Sequence, residues 1–279
     1  MDERSLHHAV EAIRRAQALL IGAGAGMGVD SGLPDFRGNQ GFWNAYPPYQ
    51  KLGLDFVSLA NPRWFRDDPT LAWGFYGHRL NLYRQTQPHA GFQILRRWAE
   101  RMKHGAFVFT SNVDAHFHRA GFVSDRVMEV HGAINLMQCS RRCGDIFPAD
   151  GFEISIDETT MRAREPLPTC PRCGALARPN ILMFNDWNWD SSETEKQQAR
   201  LYAWLRDVGS VPMVVVECGA GTAIPTVRHF CEEVADPPTR KLIRINLREP
   251  EVPNGHISLA IGAMAGLRAM DDLLAATNN

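Results

Sequence analysis

No apolar run in this 279-residue chain reaches the roughly 18 residues that a transmembrane helix needs, so no membrane span is expected. The N-terminal stretch MDERSLHHAVEAIRRAQ lacks the apolar core of a signal peptide, which points to the cytoplasm. A reducing cytoplasm in turn argues against a disulfide framework. Neither sign of charge is in excess. Thirty Lys and Arg face 31 Asp and Glu, for a net charge of −1. Without a basic face there is no field to hold a nucleic-acid backbone. Internal repeats and low-complexity segments are absent too.

What is present is enough apolar material, 44% of residues, for one large α/β domain or a large domain with a small insert. Leu6, Val10 and Ile13 recur at helical spacing, and QALLIGAGAG then reads as a buried strand entering a glycine turn. Further strands are expected in GAFVFTSNVD, RVMEVHGAI, PNILMFND, VPMVVVECGAGTAI and RKLIRINL. Helices are expected in PTLAWGFYGHRLNLYRQ, AGFQILRRWAERM, SSETEKQQARLYAWLRDVG and the C-terminal HISLAIGAMAGLRAMDDLLAAT. Alternating strands and helices imply α/β class, a Rossmann-like doubly wound parallel sheet of about five or six strands. Residues 1–37, 71–135 and 181–279 are assigned to that unit. Residues 38–70, rich in Pro, Gly and aromatics, read as a cofactor loop with a small helical insert. Residues 136–180, with a thin hydrophobic pattern and four cysteines, read as a zinc-binding insert. The strands ending at Ile21, Phe109 and Val216 run into polar or glycine-rich turns, which should converge on one crevice at the carboxyl edge of the sheet.

The first of those turns is IGAGAGMGVDSGLPDFRG. Its alternating glycines, Gly22, Gly24, Gly26 and Gly28, suit close approach of a pyrophosphate to the backbone. It is not the G-x-G-x-x-G dehydrogenase fingerprint. Counting from Gly22, the third glycine is replaced by Met27; counting from Gly24, by Val29. What the stretch does resemble is the nucleotide loop of the sirtuins, GAG-x-S-x-x-SG-(I/L)-PDFR. Gly24, Ala25, Gly26, Ser31, Gly32, Leu33, Pro34, Asp35, Phe36 and Arg37 match, while Gly28 stands where serine or alanine is usual. The resemblance continues in order through TSNVD (110–114), HRAGF, EVHG (129–132), RPNILMFND (178–186), AGTAI (220–224) and RIN (244–246), over roughly residues 5–270.

Sirtuins are NAD-dependent protein deacylases. The resemblance implies that NAD is consumed, nicotinamide released, and the acyl group of an acyl-lysine protein passed to ADP-ribose. Gly24, Ala25 and Gly26 would hold the pyrophosphate. Phe36 would cover the ribose, and Asp35 and Arg37 would order the loop and phosphates. Asn112 would contact the nicotinamide ribose and Asp114 the carboxamide, with Ser111 where glutamine is usual. Gly221, Thr222 and Asn246 would complete the cofactor site. His131 is the expected base for a ribose hydroxyl, since a neutral imidazole accepts a proton near pH 7. Phe92 and Phe117 stand where histidines are usual. Leu182 and Phe184 would line the acyl-lysine tunnel, but Asn185 and Asp186 replace the family's Gly-Glu, where a glycine lets the substrate peptide pair as a strand.

Cys170 and Cys173, in CPRCG, have the spacing of a zinc knuckle. Cys139 and Cys143 are separated by three residues, within the usual two to four. Family members carry a structural zinc here; the alternative is a knuckle that has lost its metal. Cys218 and Cys231 stand alone and read as buried small apolar residues. In FYGHR, Tyr76 and Arg79 share one helix face. Sirtuins that remove succinyl, malonyl or glutaryl groups carry Tyr-x-x-Arg here. The alternative is Tyr76 packed in the core with Arg79 solvated. Two other functions suit the same scaffold: a mono-ADP-ribosyltransferase or NAD hydrolase, and a non-catalytic NAD or ADP-ribose sensor. The target protein and the oligomeric state are not legible.

Overall fold

Ala18–Ala23 (β1) is buried at all six residues, and a fully apolar strand of this kind needs cover on both faces. The computed structural model describes residues 2–34 and 38–276. In it β1 lies inside a six-stranded parallel sheet with Ala106–Thr110 (β2), Val127–Glu129 (β3), Met213–Cys218, Arg240–Ile245 and Ile257–Leu259. Between β3 and the last three come Gly132–Cys139 (β4), Phe147–Pro148 (β5), Ile156–Asp157 (β6), Arg162–Ala163 (β7) and Ala177–Ile181 (β8). The last three are therefore β9, β10 and β11, and the main sheet runs β11-β10-β9-β1-β2-β3.

Side chains alternate across the sheet and build two cores. Leu19, Ile21, Val108, Val216 and Ile243 pack with the Glu3–Arg15, Ala90–Arg101 and Ala263–Ala276 helices. Leu20, Phe107, Val215 and Leu242 pack on the other face with the Ser192–Val208 and Thr226–Ala235 helices. Cys218 and Cys231 are fully buried in these cores, as small apolar residues would be. Among the described residues no helix is long and apolar enough to cross a membrane.

Three segments depart from the sequence-based expectation. HISLAIGAMAGLRAMDDLLAAT is not one helix. Ile257–Leu259 pairs with β10 as an edge strand, and the helix starts at Ala263, where the Asp30 carboxylate accepts the Met264 N–H at 2.8 Å. RVMEVHGAI is two strands in two sheets. β3 ends at Glu129, and β4 leaves to form an antiparallel sheet of order β5-β4-β8. The step between them needs Gly132, which has φ 75°; a Cβ there would lie 2.1 Å from the Asn180 carbonyl oxygen. PNILMFND likewise does not extend the parallel sheet. β8 stops at Ile181 and pairs with β4.

A third core is aromatic. Phe42, Tyr46, Tyr49, Phe75 and Tyr76 gather the short helices of residues 38–67 against the Pro69–Gln85 helix. That helix carries glycines where the 154–162 segment crosses it. A Cβ on Gly74 would sit 2.0 Å from the Met161 carbonyl oxygen, and one on Gly77 2.5 Å from Ile154 Cγ2. Gly74→Ala should therefore push the hairpin off the helix and destabilise the protein by about 1–3 kcal/mol in urea denaturation. Gly151→Ala, where an added Cβ meets nothing within 4 Å, is the control and should leave the midpoint unchanged.

Candidate functional site

The strand order reverses between β1 and β9, since β2 and β3 extend the sheet on one side and β10 and β11 on the other. Ligands of doubly wound sheets bind at such a switch point, beyond the carboxyl ends of the strands. Here the turn after β1 meets the turn after β9 backbone to backbone. Gly24 N–H donates to the Cys218 carbonyl and Gly26 N–H to the Gly219 carbonyl, both at 3.0 Å. A Cβ on Gly24 would lie 2.6 Å from Ala220 Cα, and one on Gly219, at φ +64°, 2.4 Å from the Gly26 carbonyl carbon. Gly24 is thus required by turn-to-turn packing, whatever ligand the turn holds.

The turn after β2 is laced onto the same place. Ser111 N–H donates to the Ala23 carbonyl at 3.1 Å, and Asn112 Nδ2 donates to the Gly24 carbonyl at 2.9 Å. Asp114 is buried, and its Oδ1 accepts the His116 N–H at 2.9 Å, holding a bend whose Ala115 has φ 58°. On the β9–β10 side the Asn246 side chain is buried. It donates to the Ala220 carbonyl at 2.7 Å and accepts the N–H groups of Arg248 and Glu249 at 3.1 Å each. This brings the Glu249 carboxylate onto the Thr222 hydroxyl and N–H, beside the half-buried Gly221. Asp35, Phe36 and Arg37 lie outside the described residues.

His131 sits at the junction of the two sheets. Its carbonyl accepts the Leu182 N–H at 2.9 Å, so β4 and the segment after β8 are joined at this residue. Burial lowers the imidazole pKa from its ordinary value, and the Ser111 main chain only partly offsets this. The ring is therefore neutral at pH 7, as a base requires. Val113 accepts the Ile134 N–H at 2.9 Å, which brings the Asn112–Asp114 bend alongside the same strand.

Leu182 is exposed and Phe184 half-buried, its ring 6.1 Å from Phe56. Phe184 N–H donates to the Ala60 carbonyl at 2.9 Å, closing the segment onto the helical insert. Asn185 has φ 58°, a conformation that favours glycine and that asparagine tolerates best among the larger residues. This accounts for asparagine at a position where glycine is usual. Asp186 pairs with Arg178, both side chains almost wholly buried, so it stabilises the loop.

Tyr76 and Arg79 are both buried, which removes the solvated alternative for Arg79. Its Nε and Nη2 donate to the Tyr83 hydroxyl at 3.0 and 2.8 Å, and the guanidinium lies 5.1 Å from the Phe75 ring centre. The four thiols of Cys139, Cys143, Cys170 and Cys173 lie within 4.8 Å of one another, with Cys139–Cys173 at 3.6 Å and Cys143–Cys170 at 3.5 Å. Tetrahedral zinc with Zn–S bonds of about 2.3 Å sets its sulfurs about 3.8 Å apart. The cluster therefore fits a closed structural zinc site, and no carboxylate or imidazole joins it among the described residues.

Sequence reasoning missed several supports. The His89 ring caps the Ala90–Arg101 helix by accepting the Gly91 N–H and reaches Met27 O at 2.9 Å, while the His89 main-chain N–H donates to Ser31 Oγ at 3.0 Å. It ties the glycine turn to that helix. Histidine placed between Pro88 and Ala90 at a helix start was the signal for its capping role. Glu249 carried none, because its partner Thr222 lies 27 residues away in the chain.

A model of the Sir2 family matches residues 24–208. The chain is 32% identical over 186 residues to NAD-dependent protein deacylase 1 of Archaeoglobus fulgidus, covering 67% of this chain and 66% of the relative. It is 34% identical over 184 residues to the NAD-dependent protein deacylase of Thermococcus kodakarensis, covering 65% of each. The matched stretches thus span just under two thirds of these relatives. A solved Sir2 homologue in complex with NAD superposes with a TM-score of 0.72 at 26% identity, covering 100% of this chain and 96% of that one.

Purified protein should carry zinc in a single equivalent, and Cys170→Ser should lose it. Chelation should lower the unfolding midpoint by roughly 2–4 °C for each kcal/mol of metal binding removed. Elemental analysis that finds no zinc in native protein would exclude the site.

Proposed function

The chain belongs to the Sir2 family, and from that premise we propose that it is an NAD-consuming protein-lysine deacylase. It would pass the acyl group to ADP-ribose and release nicotinamide. The observation that carries this reading is the placement of His131. A half-buried imidazole, kept neutral by its partial burial, stands beside the Ser111 main chain of the β2 turn, and its own carbonyl anchors the segment bearing Leu182 and Phe184. A dinucleotide at the switch point and an acyl-lysine beside Leu182 would meet at that side chain.

Bound NAD supplies the glycosidic bond to nicotinamide, whose breakage opens the ribose carbon to the acyl oxygen. The chain's own residues bind and orient it. The 24–26 turn, braced by Asn112 and by the 219–220 turn, would present its backbone to the pyrophosphate. Asp114 would receive the carboxamide. The rigid bend that holds Asp114 limits the freedom of its carboxylate before any ligand arrives. Thr222 and Asn246 would seat the adenosine half, Asn246 by building the turn more than by touching the ligand. His131 would take a proton from a ribose hydroxyl. Asp35, Phe36 and Arg37 would supply the remaining cover.

The buried guanidinium of Arg79 and phenol of Tyr76 are the donors that a carboxylated acyl group requires, which favours succinyl- or malonyl-lysine beside acetyl-lysine. Asn185 keeps the left-handed turn, so the change from glycine is compatible with a peptide substrate. A zinc-thiolate cluster suits a reducing compartment, so we place the protein in the cytoplasm.

Mass spectrometry of the protein with NAD and matched acetyl- and succinyl-lysine peptides tests the reading. Deacylated peptide and O-acyl-ADP-ribose should form, and His131→Ala should slow turnover by at least about 100-fold. Nicotinamide release with intact peptides would sink deacylation and leave ADP-ribosyl transfer or hydrolysis. Because the imidazole pKa is lowered, the base stays neutral on mild acidification. The acid limb of kcat/KM against pH should fall below the ordinary histidine value of about 6.5. A limb well above that value would assign the base elsewhere.

A further inference from the structure

Glu129 is 4% exposed at the end of β3, two residues before His131. Burying a carboxylate is costly unless it is paired. Its ionic partner is His118, whose Nε2 lies 3.5 Å from Glu129 Oε2. His118 belongs to the four-residue helix His116–Arg119, which grows directly out of the Asn112–Asp114 bend, where the Asp114 carboxylate accepts the His116 N–H. The pair is thus a side-chain bridge between the bend that carries Asn112 and Asp114 and the strand end that leads into His131. Main chain supports the same geometry. Thr110 of β2 lies opposite Glu129, and Val130 N–H donates to the Thr110 carbonyl at 2.9 Å. On the outer edge of β3 the Ser192–Val208 helix stands in for a further strand. The Gln197 side chain accepts the Glu129 N–H at 2.9 Å, and Thr194 Oγ1 donates to the Glu129 carbonyl at 3.2 Å. With both backbone groups of Glu129 so occupied, its side chain ties the strand end to the helix after the bend.

His118 and Glu129 form part of the wall of a cleft of about 530 Å³, which opens the pair to solvent protons. The other charged groups around the pair are Asp114 from the bend, Asp125 from the 124–126 turn, Asp145 from the cysteine-bearing insert, and Glu193, Lys196 and Arg200 from the Ser192–Val208 helix. Glu193 is matched by Lys196 at 3.4 Å and Arg200 at 3.8 Å, and Arg200 also lies 3.7 Å from Asp125. These groups answer one another, and Glu129 is left to His118.

We propose that Glu129 and His118 are positioning residues for the reaction at His131: as an ion pair they fix the strand end that leads into that imidazole against the bend that bears Asn112 and Asp114. The inference rests on the deacylase reading and adds to it two residues that act through others. A buried pair contributes little net stability, but it defines one geometry, because either charge left alone is costly. It also sets a pH window. Burial raises the Glu129 carboxyl above its ordinary value, and contact with the Glu129 carboxylate raises the His118 imidazole above about 6.5. The pair is charged above the first titration and below the second. It is therefore lost as pH rises through the His118 value, and turnover should fall there, on the alkaline side.

The test measures kcat and KM for NAD with an acetyl-lysine peptide across the neutral and alkaline range, in wild type, His118→Gln, His118→Lys and Glu129→Gln, with thermal unfolding alongside. Glu129→Gln keeps the shape of the side chain and removes only its charge. Both Gln variants should lower kcat at pH 7 by about 10- to 100-fold, the loss expected of a misplaced catalytic group, with KM for NAD within about twofold of wild type. Both should also lose the alkaline limb. His118→Lys supplies a cation that titrates near about 10.4, so it should retain most of the wild-type kcat and move the limb up towards that value. A kcat within about twofold of wild type in both Gln variants overturns the proposal, as does a loss confined to KM. So does an alkaline limb that stays where it is in His118→Lys. Loss of folded protein in both Gln variants without rescue by Lys marks a purely structural role and overturns it too. If wild type releases nicotinamide but leaves the peptide acylated, the deacylase reading fails, and the same comparisons made on nicotinamide release decide the pair. A wild-type protein that consumes no NAD overturns both.

Discussion

The contact between two turns, Gly24–Gly26 after β1 and Gly219–Ala220 after β9, is what the site depends on. Parallel strands on either side of a switch point send their chains in opposite directions, and the crevice between them stays open unless something closes its floor. Here main chain closes it, with Gly26 donating to Gly219 and Gly24 to Cys218. No side chain fits between the two backbones at Gly24 or Gly219. From this floor the other parts take their positions. Asn112 braces it from β2, and Asn246 braces it from β10 through Ala220. A buried ion pair, Arg244 with Glu217 at 2.6 and 2.8 Å, ties β9 to β10 beneath it. A buried charge that lost its partner would be costly, so this pair keeps the two strands in register.

The second organising feature is a change of sheet within a few residues. β3 ends in the parallel sheet at Glu129, and β4 begins in the antiparallel sheet at Gly132. Of the two residues at the step, Val130 packs against the core of the parallel sheet and the next residue lies outside both strands. His131 holds this place. Its carbonyl joins the segment after β8, and two residues further on the Phe184 N–H ties that segment to Ala60 of the helical insert. A nucleotide bound to one part and a peptide bound to another would both be in reach of it.

The thiol cluster and the 182–190 loop have a common logic. Each lies in a stretch with little core of its own, and each is held by polar contacts where apolar burial is scarce. In one case four thiols gather at zinc-compatible distances. In the other, Arg178, Gln138 and Asn180 hold the loop from the β4 and β8 strands. Buried polar groups with complete partners fix one geometry sharply, since any shift leaves a group unpaired. That explains how an asparagine at positive φ is kept in place.

Much was legible along the chain. Apolar runs such as LLIGA and MVVVE mark strands buried on both faces, because local composition reports burial directly. The Pro69–Gln85 and Ala90–Arg101 helices follow from propensity and end signals. The paired cysteines announce their site, because thiolate spacing is a local property. The order of the motifs from GAGMGVDSGLPDFR to RIN identified the family. Other features needed the tertiary structure. Ile257–Leu259 became a strand only because β10 offered an unpaired edge. His131 came to a sheet junction because Gly132 can pass under Asn180. Glu249 reached Thr222 across a turn that Asn246 builds. In each case the deciding partner lies on another element or another turn, so no local pattern encodes it. The sequence alone determined the class of fold, the family and the kinds of group available. The tertiary structure decided which of those groups meet.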